Sequence, residues 1–257
     1  MTKHDAAQDR QRRILELARS EGRVEVSELS ESLDVAPETV RRDLTLLESH
    51  GLVRREYGAA YPVEGANFES DLARREAQFG EDKVRIAVES ARHLEDAETV
   101  YIDEGYTPLL IARELPVDRR LTIITASLPA ATQLASRPTY TVIMVGGRVR
   151  GLTMATVDHW ATQMLDGFVI DLAFLGANGV TPETGLTTPD PAVATVKSHV
   201  VKIARRKVLS GIRGKFGSPS FCKFADVADI DLIVTDTRLT ASDARRYSAL
   251  GPPVIRV

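Results

Sequence analysis

The sequence predicts an α/β protein in two parts, a small winged helix-turn-helix module followed by an open, mostly parallel α/β domain. Two patterns predict it. Residues 26–51 form two short amphipathic segments around a tight turn. Beyond residue 92, six apolar runs of strand length alternate with segments of helical periodicity, as expected of a parallel sheet covered on both faces. The expected division is residues 1–61 for the first module, residues 62–91 for a linker and connecting helix, and residues 92–257 for the larger domain.

In the first segment Val26, Leu29 and Leu33 share one face. Asp34, Val35 and Ala36 make the turn, and Pro37 opens the second helix, where a missing N–H costs nothing. Val40, Leu44 and Leu47 then repeat at i, i+4 and i+7 as a buried stripe. At about 100° per residue, Glu38, Arg42, Thr45 and Ser49 turn away from that stripe, with Thr39 and Arg41 on their flanks. This is the geometry of a recognition helix reaching into a major groove. Gly51 is placed to close the helix in a left-handed conformation. The competing reading is an ordinary helical hairpin with a solvated polar face. Two neighbours favour DNA. A helix is expected over residues 8–20, with Ile14, Leu17 and Ala18 as its stripe. The alternating L-V-R-R-E-Y-G-A-A-Y after Gly51 suits a β-wing, whose Arg54 and Arg55 are placed for phosphates. The expected DNA face is therefore Glu38, Thr39, Arg41, Arg42, Thr45, Arg54 and Arg55, and the expected partner a double-stranded operator.

Leu29, then V-A-P-E-T-V-R-R-D-L, then L-E-S-H-G-L-V-R-R-x-x-G-A resembles the N-terminal winged helix of the DeoR family of bacterial transcription regulators. T-V-R-R-D-L is its most specific piece. This sequence departs from the family at Ala36, where a serine N-cap is usual, and at Ala59, where the wing usually has a second glycine.

Composition narrows the class. The chain carries a net charge of −3, with 43% hydrophobic and 27% charged residues, the mix of a soluble globular protein. No apolar run approaches the roughly 20 residues of a membrane helix, so no membrane partner is expected. The N-terminus lacks the apolar core of a signal peptide, and the single Cys222 excludes an internal disulfide. The cytoplasm is the expected compartment, and Cys222 reads as a small core residue. The five histidines and one cysteine never fall at ligand spacing, so neither metal nor cofactor is expected. Residues 1–60 hold 10 Lys/Arg against 12 Asp/Glu. A slightly acidic module must bind DNA through local charge at Arg41, Arg42, Arg54 and Arg55, with Arg12 and Arg13 as further candidates. It should depend on a paired site, which predicts a homo-oligomer.

Tyr61 to Phe68 reads as a linker from its Pro, Gly and Asn, and residues 69–91 as a connecting helix. The apolar runs that follow are residues 99–103, 121–125, 140–145, 172–176, 207–210 and 231–236. Helical segments are expected over residues 108–115, 128–136, 157–165, 192–205 and 241–250. In open α/β sheets ligands bind at the carboxyl ends of the strands, so the loops after each run are the candidates. D-E-G-Y-T-P follows the first, with Thr107 an expected N-cap and Pro108 the first helical residue. T-A-S-L-P gives a capped helix start at Ser127. G-G-R-V-R brings Arg148 and Arg150 beside close-approach glycines. G-A-N-G-V follows the fourth run, and G-I-R-G-K-F-G sets Lys215 among glycines. Each loop alone reads as a common turn; five at one end of a sheet point to a small anionic ligand. The candidate residues are Asp103, Gly105, Tyr106, Thr107, Ser127, Gly146, Gly147, Arg148, Gly176, Asn178, Gly179 and Lys215.

The motifs D-x-G-x-T, T-x-S, G-G, G-x-x-G and K-F-G followed by I-V-T-D occur in the order of the DeoR-type sensor domain. That domain is similar in fold to ribose-5-phosphate isomerase and coenzyme A transferases. The resemblance covers nearly the whole chain from about residue 8. It implies a regulator, usually a repressor of carbohydrate genes, controlled by a phosphorylated sugar or related metabolite. Departures fall at Tyr106, where Thr or Ser is usual, at Ala126 in place of asparagine, and at Ile212 and Gly214 in place of Asp and Ser before Lys215. Two alternatives stand beside this reading: a regulator with a degenerate pocket that serves only assembly, and a sugar-phosphate isomerase. For isomerisation Asp103 or Glu104 could serve as base, but no second acid or base is evident nearby, and His159 and His199 lie in no motif.

Overall fold

The computed structural model describes residues 10, 11, 13, 14, 17, 18, 21, 23–49, 53–56, 59–62 and 80–257. The chain divides into two compact units at residue 65.

In the first unit, the described residues among 10–21 are helical. Strand β1 (Val24–Glu25) leads into α1 (Val26–Leu33), the turn, and α2 (Pro37–Ser49). The wing is the antiparallel pair β2 (Val53–Glu56) and β3 (Ala59–Pro62), with β1 completing a three-stranded sheet in the order β1-β3-β2. The expected stripes close one core: Leu29, Val40, Leu44 and Leu47 pack with Ile14, Ala18, Val24, Val53 and Ala60. Asp34 ends α1 with φ 50°, a left-handed position that Asp tolerates. Ser30 Oγ donates to Val35 O at 2.6 Å and holds the turn. Ala36 has no side-chain cap to offer; its carbonyl accepts from the N–H groups of Thr39 and Val40. Gly51, Arg12 and the linker residues 63–79, with the first part of the expected connecting helix, lie outside the described residues.

The second unit is built on seven parallel strands in the order β15-β14-β12-β9-β4-β5-β6. These are β4 (Thr99–Ile102), β5 (Leu121–Thr125), β6 (Tyr140–Met144), β9 (Ile170–Leu175), β12 (Ala204–Ser210), β14 (Leu232–Thr235) and β15 (Val254–Arg256). Alternate side chains face opposite sides of a strand, and the two cores divide accordingly. Val100, Ile102, Leu172, Phe174, Val208 and Val234 share one core with residues of α3 (Gly80–Arg92), α4 (Tyr106–Glu114) and α5 (Leu128–Leu134). Tyr101, Ala173, Leu175, Leu209 and Ile233 share the other with residues of α6 (His159–Leu165), α7 (Pro191–Ile203) and α8 (Ala241–Ser248).

The order places a topological switch point. From β4 the chain steps outward through β5 and β6, then returns to β9 on the other side of β4 and steps outward again. The carboxyl ends of β4 and β9 therefore diverge into the crevice where open α/β sheets hold ligands. Two pieces lie outside the seven strands. The hairpin β7 (Arg148–Arg150) and β8 (Ala155–Val157) follows β6. The antiparallel sheet β10-β11-β13 comprises Gly179–Thr181, Gly185–Thr188 and Cys222–Ala225.

One expected helix start is corrected. Thr107 does not cap α4: the helix begins at Tyr106, and Gly105 is its N-cap with φ 110°, a conformation that favours glycine. Ser127 does cap α5, its Oγ accepting from the Ala130 N–H at 3.3 Å.

Candidate functional site

The described DNA-face residues lie together on α2 and the wing. Glu38, Arg41, Arg42 and Thr45 are exposed, and Thr39 is half-buried. Arg41 donates to Glu38 at 3.3 Å, one turn earlier. Thr45 Oγ1 donates to the Arg41 carbonyl at 2.8 Å and accepts from Arg55 Nη1 at 2.9 Å. Arg55 N–H in turn donates to Glu48 Oε1 at 3.0 Å, so the wing is tied to the helix it flanks. Arg54 pairs with Tyr61 in strand register; its side chain lies outside the described part. The helix is oriented from behind. Asp43 is buried on the opposite face and accepts from Arg10 Nε at 2.5 Å and Gln11 Nε2 at 2.8 Å. Arg10 therefore serves the scaffold, and among the described side chains of α2 and the wing the exposed arginines are Arg41, Arg42 and Arg55.

At the switch point of the larger unit sits a buried ion cluster. Lys197 has a side-chain exposure of 2%, Asp103 of 1% and Glu104 of 6%. The Lys197 ammonium donates to Asp103 Oδ2 and lies 3.3 Å from Glu104 Oε1. It also donates to the Gly176 carbonyl at 3.1 Å, while the Gly176 N–H donates to Asp103 Oδ2 at 2.9 Å. The end of β4, the end of β9 and the middle of α7 thus meet at one cation. Burial raises the pKa of the Asp103 carboxyl, with Lys197 pulling against it. Burial also works against the charge on Lys197, but Asp103 and Glu104 outweigh it and its pKa is raised.

Lys197 was not among the candidate residues. Its signal is its position: it interrupts the buried stripe of Val193, Val196, Val200 and Val201 on α7, and a lysine there requires a buried partner. It supplies the second ionisable group beside Asp103 that the sequence alone did not reveal. The two histidines are otherwise engaged. His199 Nε2 lies 2.9 Å from Asp166, and the His159 ring lies tilted against Trp160 with centroids 4.6 Å apart.

The remaining candidates distribute around the strand ends. Tyr106 is buried in the core at 9% exposure, under the Lys83 ammonium at 5.6 Å from its ring centroid. Asn178 is buried and accepts from Thr188 Oγ1 at 3.2 Å, and Gly179 pairs with Thr187 in strand register. Gly146 N–H donates to Met164 Sδ at 3.1 Å. Gly147 has φ 139°, and a Cβ there would lie 2.3 Å from the Val157 carbonyl oxygen, so the hairpin requires glycine. Arg148 is held by Asp158 at 2.8 Å, and Arg150 by Asp190 at 2.7 Å; Asp190 also caps α7. A cleft of about 760 Å³ opens between the hairpin, α6 and the start of α7, lined by Gly147, Arg148, Asp158, His159, Trp160, Thr162, Ala192 and Thr195. Lys215 lies between Gly214 and Gly217, after β12. It ends a 3₁₀ turn, Arg213–Lys215, anchored where the Arg213 N–H donates to the buried Asp236 carboxylate at 2.5 Å.

The family model described as the DeoR-like helix-turn-helix domain matches residues 10–64, and that of the DeoR C terminal sensor domain matches residues 78–237. The HTH-type transcriptional regulator GlpR of Haloferax volcanii is 34% identical over 247 residues, 96% of each chain. The glycerol-3-phosphate regulon repressor of Escherichia coli is 29% identical over 224 residues, covering 87% of this chain and 88% of its own. Among solved structures, a ribose 5-phosphate isomerase of Methanocaldococcus jannaschii aligns with a TM-score of 0.37 and 22% identity over 52% of this chain and 53% of its own.

Removing the ammonium tests the ion cluster. Lys197→Met should leave two buried carboxylates uncompensated and cost about 3–5 kcal/mol at pH 7. Their folded-state pKa values then lie above the unfolded ones, so the native state binds more protons and stability rises as pH falls. Denaturant unfolding of both proteins at pH 7 and pH 5 should show the deficit of the variant narrowing at pH 5. A constant deficit would mean that the carboxylates do not feel the loss.

Proposed function

The chain belongs to the DeoR family of transcriptional regulators, and from that premise we propose that it represses carbohydrate-metabolism genes in response to a phosphorylated sugar or similar anionic metabolite. Its relatives are named as regulators and repressors, and the isomerase alternative falls with that. The observation that carries the proposal is the cluster of Asp103, Glu104 and Lys197 at the switch point of the sheet. With both carboxylates ionised the cluster is net negative. It suits sugar hydroxyls and repels a phosphate, which belongs at the cationic and glycine-lined rim, near Ser127, Gly146, Gly147 and Lys215.

In this reading residues 1–61 bind the operator, residues 92–257 sense the metabolite and assemble the oligomer, and residues 62–91 connect them, in the cytoplasm. For a metabolite to regulate, it must bind the DNA-competent and DNA-released states with different affinity. Helix α3 is the described element of the sensing unit that the chain enters from the DNA-binding unit. A change in the spacing of two recognition helices, passed through residues 69–91, then releases the operator while Arg41 and Arg42 stay as they are.

Two experiments test the proposal. Arg42→Ala should cost about 1–3 kcal/mol on the specific operator if Arg42 reads a guanine. Binding isotherms on operator variants distinguish this from a uniform loss, which would make it a phosphate contact; no loss removes α2 from the interface. Separately, a panel of sugar phosphates titrated against wild type and Lys215→Ala, with operator binding followed, should give release in wild type at lower concentration than in the variant. If none changes operator affinity in wild type, the pocket is degenerate and serves assembly alone.

A further inference from the structure

The turn that carries Lys215 is tied to helix α3 through Asp236, Arg238 and Asp82. Asp236, just past the end of β14, commits both of its oxygens. Its Oδ2 accepts from the Arg213 N–H at 2.5 Å, at the start of the turn. Its Oδ1 accepts from the Arg238 N–H at 3.0 Å and lies 3.6 Å from Arg238 Nε. The Arg238 guanidinium then pairs with Asp82 in the first turn of α3. Asp82 also pairs with Arg85 on the same helix. Exposed ion pairs contribute little, but these two carboxylates are shielded: side-chain exposure is 1% for Asp236 and 11% for Asp82, against 52% for Arg238. Two shielded carboxylates share one guanidinium, so a displacement at either alters the counter-charge of the other.

A second contact reaches the same turn of α3. The ammonium of Lys83, the next residue, lies over the Tyr106 ring, and Tyr106 opens α4 two residues after Glu104. The first turn of α3 thus meets both the loop of the ion cluster and, through Arg238, the turn of Lys215. It is also the first described turn of the larger unit in chain order.

We propose that Arg238 is a positioning residue for regulation, carrying a change at the Lys215 turn to α3. The inference rests on the reading of Lys215 as a contact for the phosphate of the ligand. A phosphate that draws Lys215 towards itself pulls on a three-residue turn, Arg213–Lys215, whose first N–H is held by Asp236. The pull reaches Arg238 through the other oxygen of the same carboxylate, and the pairing of Arg238 with Asp82 changes with it. Coupling is a free energy between two sites, so it is removable with both binding sites intact.

Operator affinity of the full chain, measured with and without saturating ligand, tests this. The probes are glycerol 3-phosphate, ribose 5-phosphate and fructose 6-phosphate, each also titrated calorimetrically against the DNA-free protein. The coupling factor is the ratio of the two operator dissociation constants. Arg238→Gln should keep ligand affinity without DNA, and operator affinity without ligand, within about threefold of wild type, and lower the coupling factor by about fivefold or more. Should Arg238→Gln alter the far-UV circular dichroism, Asp82→Asn cuts the same link from the helix side and is held to the same expectation. An unchanged coupling factor overturns the inference and leaves the sensing reading standing. So does either affinity moving beyond that range, which would make Arg238 part of a binding site or of the fold itself. A wild type whose operator affinity none of the probes changes overturns both.

Discussion

A lysine ammonium shielded from water between two carboxylates is the constraint on which the sensing unit depends. Taking a charge out of water costs several kcal/mol, and removing one member of a buried pair leaves the others uncompensated. Lys197, Asp103 and Glu104 are therefore committed to one another, and the elements that carry them are committed as well. Lys197 comes from the middle of α7, Asp103 and Glu104 from the end of β4, and the Gly176 carbonyl and N–H from the end of β9. Those strands are the pair between which the sheet reverses its order. Any disturbance of the cluster therefore bears on a helix and two strand ends together.

The DNA-binding unit solves a different problem, presenting a few charges on a module with little net charge of its own. The buried Asp43 holds Arg10 and Gln11 behind the recognition helix, and Arg55 reaches from the wing to Thr45 on its front. Arginines thus lie on both faces: Arg10 fixes the helix, and Arg41, Arg42 and Arg55 are exposed.

Much of this was legible in the sequence where burial follows a period. The stripe of Val40, Leu44 and Leu47 gave α2, and the continuous apolar runs gave six of the seven parallel strands. Short elements were not legible: β7, β8, β10 and β15 have three residues each, too few to show a period. Helix α4 was misplaced because Thr107 and Pro108 mimic a helix start, whereas the backbone turns at Gly105. Arg148 and Arg150 stand out in the sequence as strand-end cations, but Asp158 and Asp190, which hold them, lie outside any motif. Lys197 lies in no motif either. A buried charge is explained by a partner 94 residues away, and only the fold brings the two together.

The protonation of Lys197 is the most direct test of that central cluster. The side-chain ¹⁵N resonance of Lys197, assigned by comparison with Lys197→Met, is followed by NMR as pH is raised on the intact protein. The ammonium should exchange slowly with water and stay protonated beyond the ordinary lysine value of about 10.4. Deprotonation below that value would show that burial outweighs Asp103 and Glu104, and would contradict a cluster held by charge.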